Sequence, residues 1–217
     1  EANFTIDSEE DIFKNKKLYF KLHTMRKSVL IFALLFFVSS IQAQTSALDG
    51  FLKSNWGSSK AVVINNNSTK GYNYYEGEGI GENMLIATDA DFAGTSGCMI
   101  AWFFTSDKLF QGTVLITPDL SAKAMTEYSG MRAKIAGKYG AGDTYENYDY
   151  PYDEGDGHWE TAFKLGKGQL STYWVFDDEN TLGMELTEDL DIKITYQSTE
   201  LIGEELDKRE AANNDDL

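Results

Sequence analysis

The spacing of apolar residues along this chain changes period several times, and each change marks an expected element. Residues 190–196 alternate strictly. Leu190, Ile192, Ile194 and Tyr196 fall on one side and Asp191, Lys193 and Thr195 on the other, the pattern of a half-buried strand. Residues 170–176 alternate in the same way, with Leu170, Thr172, Trp174 and Phe176 opposite Ser171, Tyr173 and Val175. A third strand is expected over 181–187, between turns at 177–180 and 188–189. Further upstream, 99–104 and 110–117 are rich in β-formers and flank Thr105-Ser106-Asp107-Lys108, which reads as a hairpin. Residues 84–88 and the short run 61–64 complete the expected strands.

Between the two strand groups the period lengthens to that of a helix. Met125, Tyr128, Arg132, Ile135 and Tyr139 form one stripe over 122–139, with Ser121 as the expected N-cap and Gly140 as the stop. Shorter helices are expected over 47–52, over 158–165, and from Ser198 or Thr199 to about Ala212. The last would carry the i,i+4 pairs Glu204–Lys208 and Glu205–Arg209. Residues 71–81 read as a loop or irregular edge strand, and 143–157 as a long loop. Strands joined by short turns pair antiparallel. The expected class is therefore α+β: an antiparallel sheet in two strand groups, packed with one long and two or three shorter helices. Whether the groups form one sheet or two is left open by the pattern.

The N-terminal region has a different grammar. Arg26 and Lys27 precede the unbroken apolar run 29–38, and Ser39-Ser40-Ile41-Gln42-Ala43 then supplies a small-residue exit. That order is the secretory one, so 25–43 reads as a signal peptide, with residues 1–24 an upstream extension outside the mature fold and 44–217 a single domain. The apolar run falls well short of the about 20 residues a membrane-spanning helix needs, so no membrane insertion is expected after cleavage. The only cysteine, Cys98, is far from the cleavage point, so the protein is not expected to be a lipoprotein. The expected location is periplasmic or extracellular.

Charge narrows the partners. The chain carries a net −16, which repels phosphate backbones and makes nucleic acid an unsuitable partner. A single cysteine cannot close an intramolecular disulfide, and its strand-like setting, Gly97-Cys98-Met99-Ile100, reads as a small buried hydrophobe.

Candidate chemistry is sparse. His158 is the only histidine beyond residue 43, so two-histidine zinc sites and HExxH chemistry are excluded there, and no GxSxG turn supports a serine triad. His158 reads as a surface or capping residue. Gly77-Glu78-Gly79-Ile80-Gly81 lacks the spacing and flanking elements of a dinucleotide fingerprint. No catalytic residue is assigned and no cofactor is expected. Calcium is the one ion the sequence suggests, at Asp153, Glu154 and Asp156, although their spacing is not that of an EF-hand. Tyr145, Tyr148, Tyr150, Tyr152 and Trp159 supply flat rings with polar tips, the residue type favoured in recognition surfaces, so 143–159 is the candidate ligand-binding surface.

Asn55-Trp56-Gly57-Ser58-Ser59, Lys138-Tyr139-Gly140 and Ile192-Lys193-Ile194-Thr195-Tyr196 give the domain a further character. In these stretches it resembles secreted bacterial α+β domains of unknown function. The resemblance implies a fold and a compartment, and no activity or site. The expected function is a non-enzymatic binding module of the bacterial cell envelope or exterior, with a protein or glycan partner at 143–159. The alternatives are a carboxylate-based hydrolase of an envelope or dietary polymer, and a structural envelope domain without a small ligand.

Overall fold

The computed structural model describes residues 47–75 and 81–215. The upstream extension and export signal expected over 1–43 lie outside the described residues. Ten strands and four α-helices are described, in an α+β arrangement. The strands are β1 (Gly50–Phe51), β2 (Ser54–Asn55), β3 (Asn73–Tyr75), β4 (Met84–Phe92), β5 (Thr95–Thr105), β6 (Lys108–Ile116), β7 (Asp143–Tyr148), β8 (Gly168–Val175), β9 (Thr181–Leu186) and β10 (Ile192–Gln197). The helices are α1 (Lys60–Asn66), α2 (Ala124–Tyr139), α3 (Trp159–Lys164) and α4 (Thr199–Asp215).

Both strand groups belong to one eight-stranded sheet in the order β3-β4-β5-β6-β10-β9-β8-β7. Each group is a four-stranded antiparallel meander, and the last strand of one pairs antiparallel with the last strand of the other. Ile192 lies opposite Ile116, and Thr195 opposite Thr113. The join is thus made by two central strands whose alternation is clear in the sequence, which leaves no exposed edge between the meanders.

One face of the sheet is the core. Ala87, Ile100, Trp102, Val114, Ile194, Met184 and Trp174 all point into it and are almost fully buried. Helix α2 closes that face with Ala124, Tyr128, Met131 and Ile135, at the 3–4 residue spacing of one helical stripe. A relay of hydroxyls pins α2 to the strands below. The Met184 carbonyl can only accept and the Arg132 guanidinium can only donate, which fixes the direction. Arg132 Nη1 donates to Thr144 Oγ1 (3.2 Å), Thr144 to Thr172 (3.0 Å), Thr172 to Tyr128 Oη (2.9 Å), and Tyr128 to the Met184 carbonyl (3.1 Å). Burial pushes the Tyr128 phenol up to about 12.

The other face is open. Tyr75, Ile86, Ala101, Thr113, Thr195, Gly183, Tyr173 and Asp143 stand in one row across all eight strands. Helix α4 packs at the β5–β6 hairpin end. There Lys108 pairs with Glu204 (3.1 Å), and Lys208 donates to the hydroxyls of Thr105 and Ser106 (both 2.8 Å). The expected Glu204–Lys208 pair therefore gives way to partners on another element. Ser198 Oγ accepts from the Leu201 amide, as a cap should.

Four local expectations are corrected. The 47–52 stretch is not helical but enters the small β1–β2 hairpin. Gly50 in its middle has no room for a side chain, since a Cβ there would sit 2.1 Å from the Ser54 carbonyl oxygen, and so short a helix gains too little to nucleate. Residues 61–64 belong to α1 rather than a strand. Ser59 caps it by accepting from the Val62 amide, and of the apolar run only Val63 is buried. Helix α2 begins with a 3₁₀ turn at Ser121–Lys123, and no side chain caps it. Finally, the first six residues of the expected 143–157 loop are β7, an edge strand paired in register with β8.

Candidate functional site

A cleft of about 490 Å³ lies between the segment 47–55, the end of β4, one side of α2, and Tyr196 of β10. Its floor is set by Leu48 and Phe51, each only 2% exposed. The Phe51 ring lies against Gly112, where a methyl group would meet it at 2.0 Å. It also packs 5.9 Å from Trp102 and 5.1 Å from Tyr196. The segment is tied down at the Leu48 carbonyl, which accepts from both Trp56 Nε1 and Asn180 Nδ2. Phe92, Ile135 and Tyr139 continue the apolar wall, and Tyr139 is held edge-on against Phe176 at 5.3 Å. Burial raises the Tyr196 phenol far above its ordinary range, so it stays neutral.

Two features of the rim stand out. Leu52 (φ 43°), Lys53 (φ 56°) and Ala93 (φ 49°) line the cleft in the left-handed region that side chains other than glycine rarely adopt. Leu52 and Lys53 are the two central residues of the β1–β2 hairpin, a position where Asn-Gly is the usual solution. The rim is also basic. Lys53, Lys134 and Lys138 line it, with Asp49 the only carboxylate among the lining residues. Lys134 Nζ donates to the Ala93 carbonyl (2.9 Å), and Lys138 Nζ donates to Tyr139 Oη (2.7 Å) and sits 4.5 Å from the centre of that ring. Lys53 Nζ reaches Thr69 Oγ1 at 3.4 Å.

The residues singled out over 143–159 do not gather into one surface. Tyr148 and Trp159 turn inward as half-buried anchors, their rings edge-on to Phe163 at 6.1 and 6.4 Å. The Tyr148 hydroxyl donates to Glu146 (2.9 Å), and burial together with that carboxylate raises its pKa strongly. Tyr152 is half-buried. Tyr145, on the open side of β7, is 51% exposed, and Tyr150 is 91% exposed. Asp153 and Glu154 are exposed, whereas Asp156 spends both oxygens on the backbone, accepting from the amides of Asp153 (3.0 Å) and His158 (2.7 Å). No group of three or more metal-ligating side chains occurs among the described residues. His158 occupies the N-cap position of α3. Cys98 is fully buried and donates to the Thr95 carbonyl at 3.3 Å, and burial raises its thiol pKa.

On the open face a smaller depression of about 110 Å³ lies over β8–β10, where Tyr173 leans across Gly183 and Lys193 pairs with Glu185 at 2.8 Å. The sequence pattern did not single out the 47–55 cleft. Its one legible signal is the apolar pair Leu48 and Phe51, which falls within the helix expected over 47–52. Among known proteins, no family model, no curated protein and no solved structure matches this chain.

Proposed function

We propose that this chain is a non-enzymatic binding module of the cell envelope or exterior, and that its ligand is a small molecule with an apolar body seated in the 47–55 cleft. The observation that carries this reading is the cleft itself. It has the size of ordinary ligand sites, about 300–1,000 Å³, and its rim is built on strained, left-handed backbone. The alternative hydrolase needs two facing carboxylates, and this cleft offers Asp49 alone. The envelope or exterior location rests on the export-signal pattern of 25–43.

The exposure of Tyr145 and Tyr150 favours a second reading, in which a protein or glycan partner meets the 143–150 edge. Thermal unfolding of the chain against apolar-bodied small molecules, glycans and calcium separates the two. An apolar-bodied ligand should raise the midpoint, by about 2.7 kcal/mol of stability at 100-fold over its dissociation constant. That shift should survive the Tyr145→Ala/Tyr150→Ala double variant. A shift given only by glycans and lost in the double variant would transfer the function to the 143–150 edge. No shift at all would leave a structural domain.

A further inference from the structure

We infer that the ligand of the 47–55 cleft is a single-chain anionic amphiphile, its carboxylate or phosphate head held by Lys134 and Lys138 and its hydrocarbon tail laid over Phe51, Phe92, Ile135 and Tyr196. This rests on the cleft being the binding site proposed above.

The charge pattern carries the step. The chain as a whole is strongly acidic, at net −16, yet three lysines and one aspartate line this cleft. The lining therefore carries a net positive formal charge within an acidic chain, which favours an anion over a cation. Lys134 and Lys138 stand one turn apart on α2 and reach the rim together, while Ile135 and Tyr139 form the adjacent row along the apolar wall. Head and tail contacts are thus offered by neighbouring rows of one helix. Among the described residues neither lysine has a carboxylate within ion-pair distance, and the acceptors they meet, the Ala93 carbonyl and the Tyr139 hydroxyl, are neutral. An ammonium carries three donors, so each retains capacity for an anionic oxygen. Lys138 in the last turn also complements the helix dipole; Lys134, a turn earlier, has less of that structural reason to be a cation. A neutral ligand would leave the lysines unused, and a cationic one would be repelled.

The test is titration of the purified chain with dodecanoate, dodecyl phosphate, dodecanol and dodecyltrimethylammonium below their aggregation limits. It is followed by calorimetry and by the change in tryptophan fluorescence that is lost in a Trp56→Phe variant, Trp56 donating to the Leu48 carbonyl at the floor of the cleft. Dodecanoate or dodecyl phosphate should bind at least tenfold more tightly than dodecanol, and the cationic amphiphile should bind most weakly. The relative affinity of the two anions identifies the head group. Lys134→Gln/Lys138→Gln should weaken the anions at least tenfold and leave dodecanol unchanged. Asp49→Asn should tighten the anions several-fold. All three positions are solvent-exposed, so the fold should tolerate these changes. Equal binding of dodecanol and dodecanoate, or anion binding indifferent to the lysine pair, would overturn the anionic assignment and leave the cleft as an apolar site. Failure of all four compounds to bind would overturn the amphiphile assignment, while the thermal panel above decides separately whether the cleft takes any apolar-bodied ligand.

Discussion

The 47–55 cleft and the 143–159 segment differ in how they treat their polar groups. In 143–159, which is dense in tyrosine and acid, several polar groups are consumed internally, while Tyr145 and Tyr150 stand in solvent. Asp156 takes two backbone amides, Glu146 takes the Tyr148 hydroxyl, and Tyr148 and Trp159 anchor on Phe163. Around the cleft the opposite holds. Lysines meet only neutral acceptors, and the hairpin turn is built from Leu52 and Lys53 where unstrained residues would serve better. Abundance of functional residue types marks the first region, and unspent capacity marks the second. Capacity is the better guide to a site, because a group already satisfied by its own chain has nothing left to offer a ligand.

That contrast can be broken at several points. The largest effect should come from Phe51→Ala. The ring is buried against Gly112, Trp102 and Tyr196, and its loss should cost about 3–5 kcal/mol in denaturant unfolding. A smaller cost, below about 1 kcal/mol, would mean that the segment is not part of the core. Next, Leu52→Asn/Lys53→Gly should stabilise the fold by about 1 kcal/mol, because these residues accept the left-handed turn without strain. In a scanning calorimeter that is a rise of roughly 2–4 °C for a chain of this size. Failure of the midpoint to rise would remove strain from the case for the cleft.

On the other side of the comparison, Tyr150→Ala should change stability by less than about 0.5 kcal/mol, since the ring stands in solvent. The smallest expected effect is a pH dependence at Asp156. Its carboxyl is held below the usual carboxylate range, first by the Asp153 amide and then by that of His158. A depressed folded-state pKa contributes stability above the unfolded value and loses it as pH falls through the folded one. Asp156→Ala should therefore flatten the midpoint-against-pH curve only on the acid side, below about pH 4. An unchanged acid limb would show that the two amide bonds add nothing to stability.

Legibility of the fold followed alternation and burial. The strands with one clean buried face, β8, β9 and β10, were readable because a period of two admits only one assignment when every second residue enters the core. The long helix was readable for the same reason at its own period. Short apolar runs were not. Val62-Val63-Ile64 has the composition of a strand, but it becomes a helix because Ser59 caps it and only Val63 finds the core. The 143–148 stretch reads as loop because its acids mask an edge strand exposed along most of its length. The cleft was illegible because its lining comes from four separated stretches of chain, and its lysines look ordinary in isolation.

The sequence by itself determined the class of this protein: an antiparallel sheet closed by one long helix, a buried cysteine, a single surface histidine beyond residue 43, and a strongly negative charge. These are properties of local periodicity and composition, which act residue by residue. Tertiary structure alone decided that both meanders share one sheet through β6 and β10, and that Phe51 travels to Gly112. It also decided that Lys134 and Lys138 face an apolar hollow rather than a carboxylate. Those outcomes depend on which distant surfaces meet, and chain periodicity holds no record of that meeting.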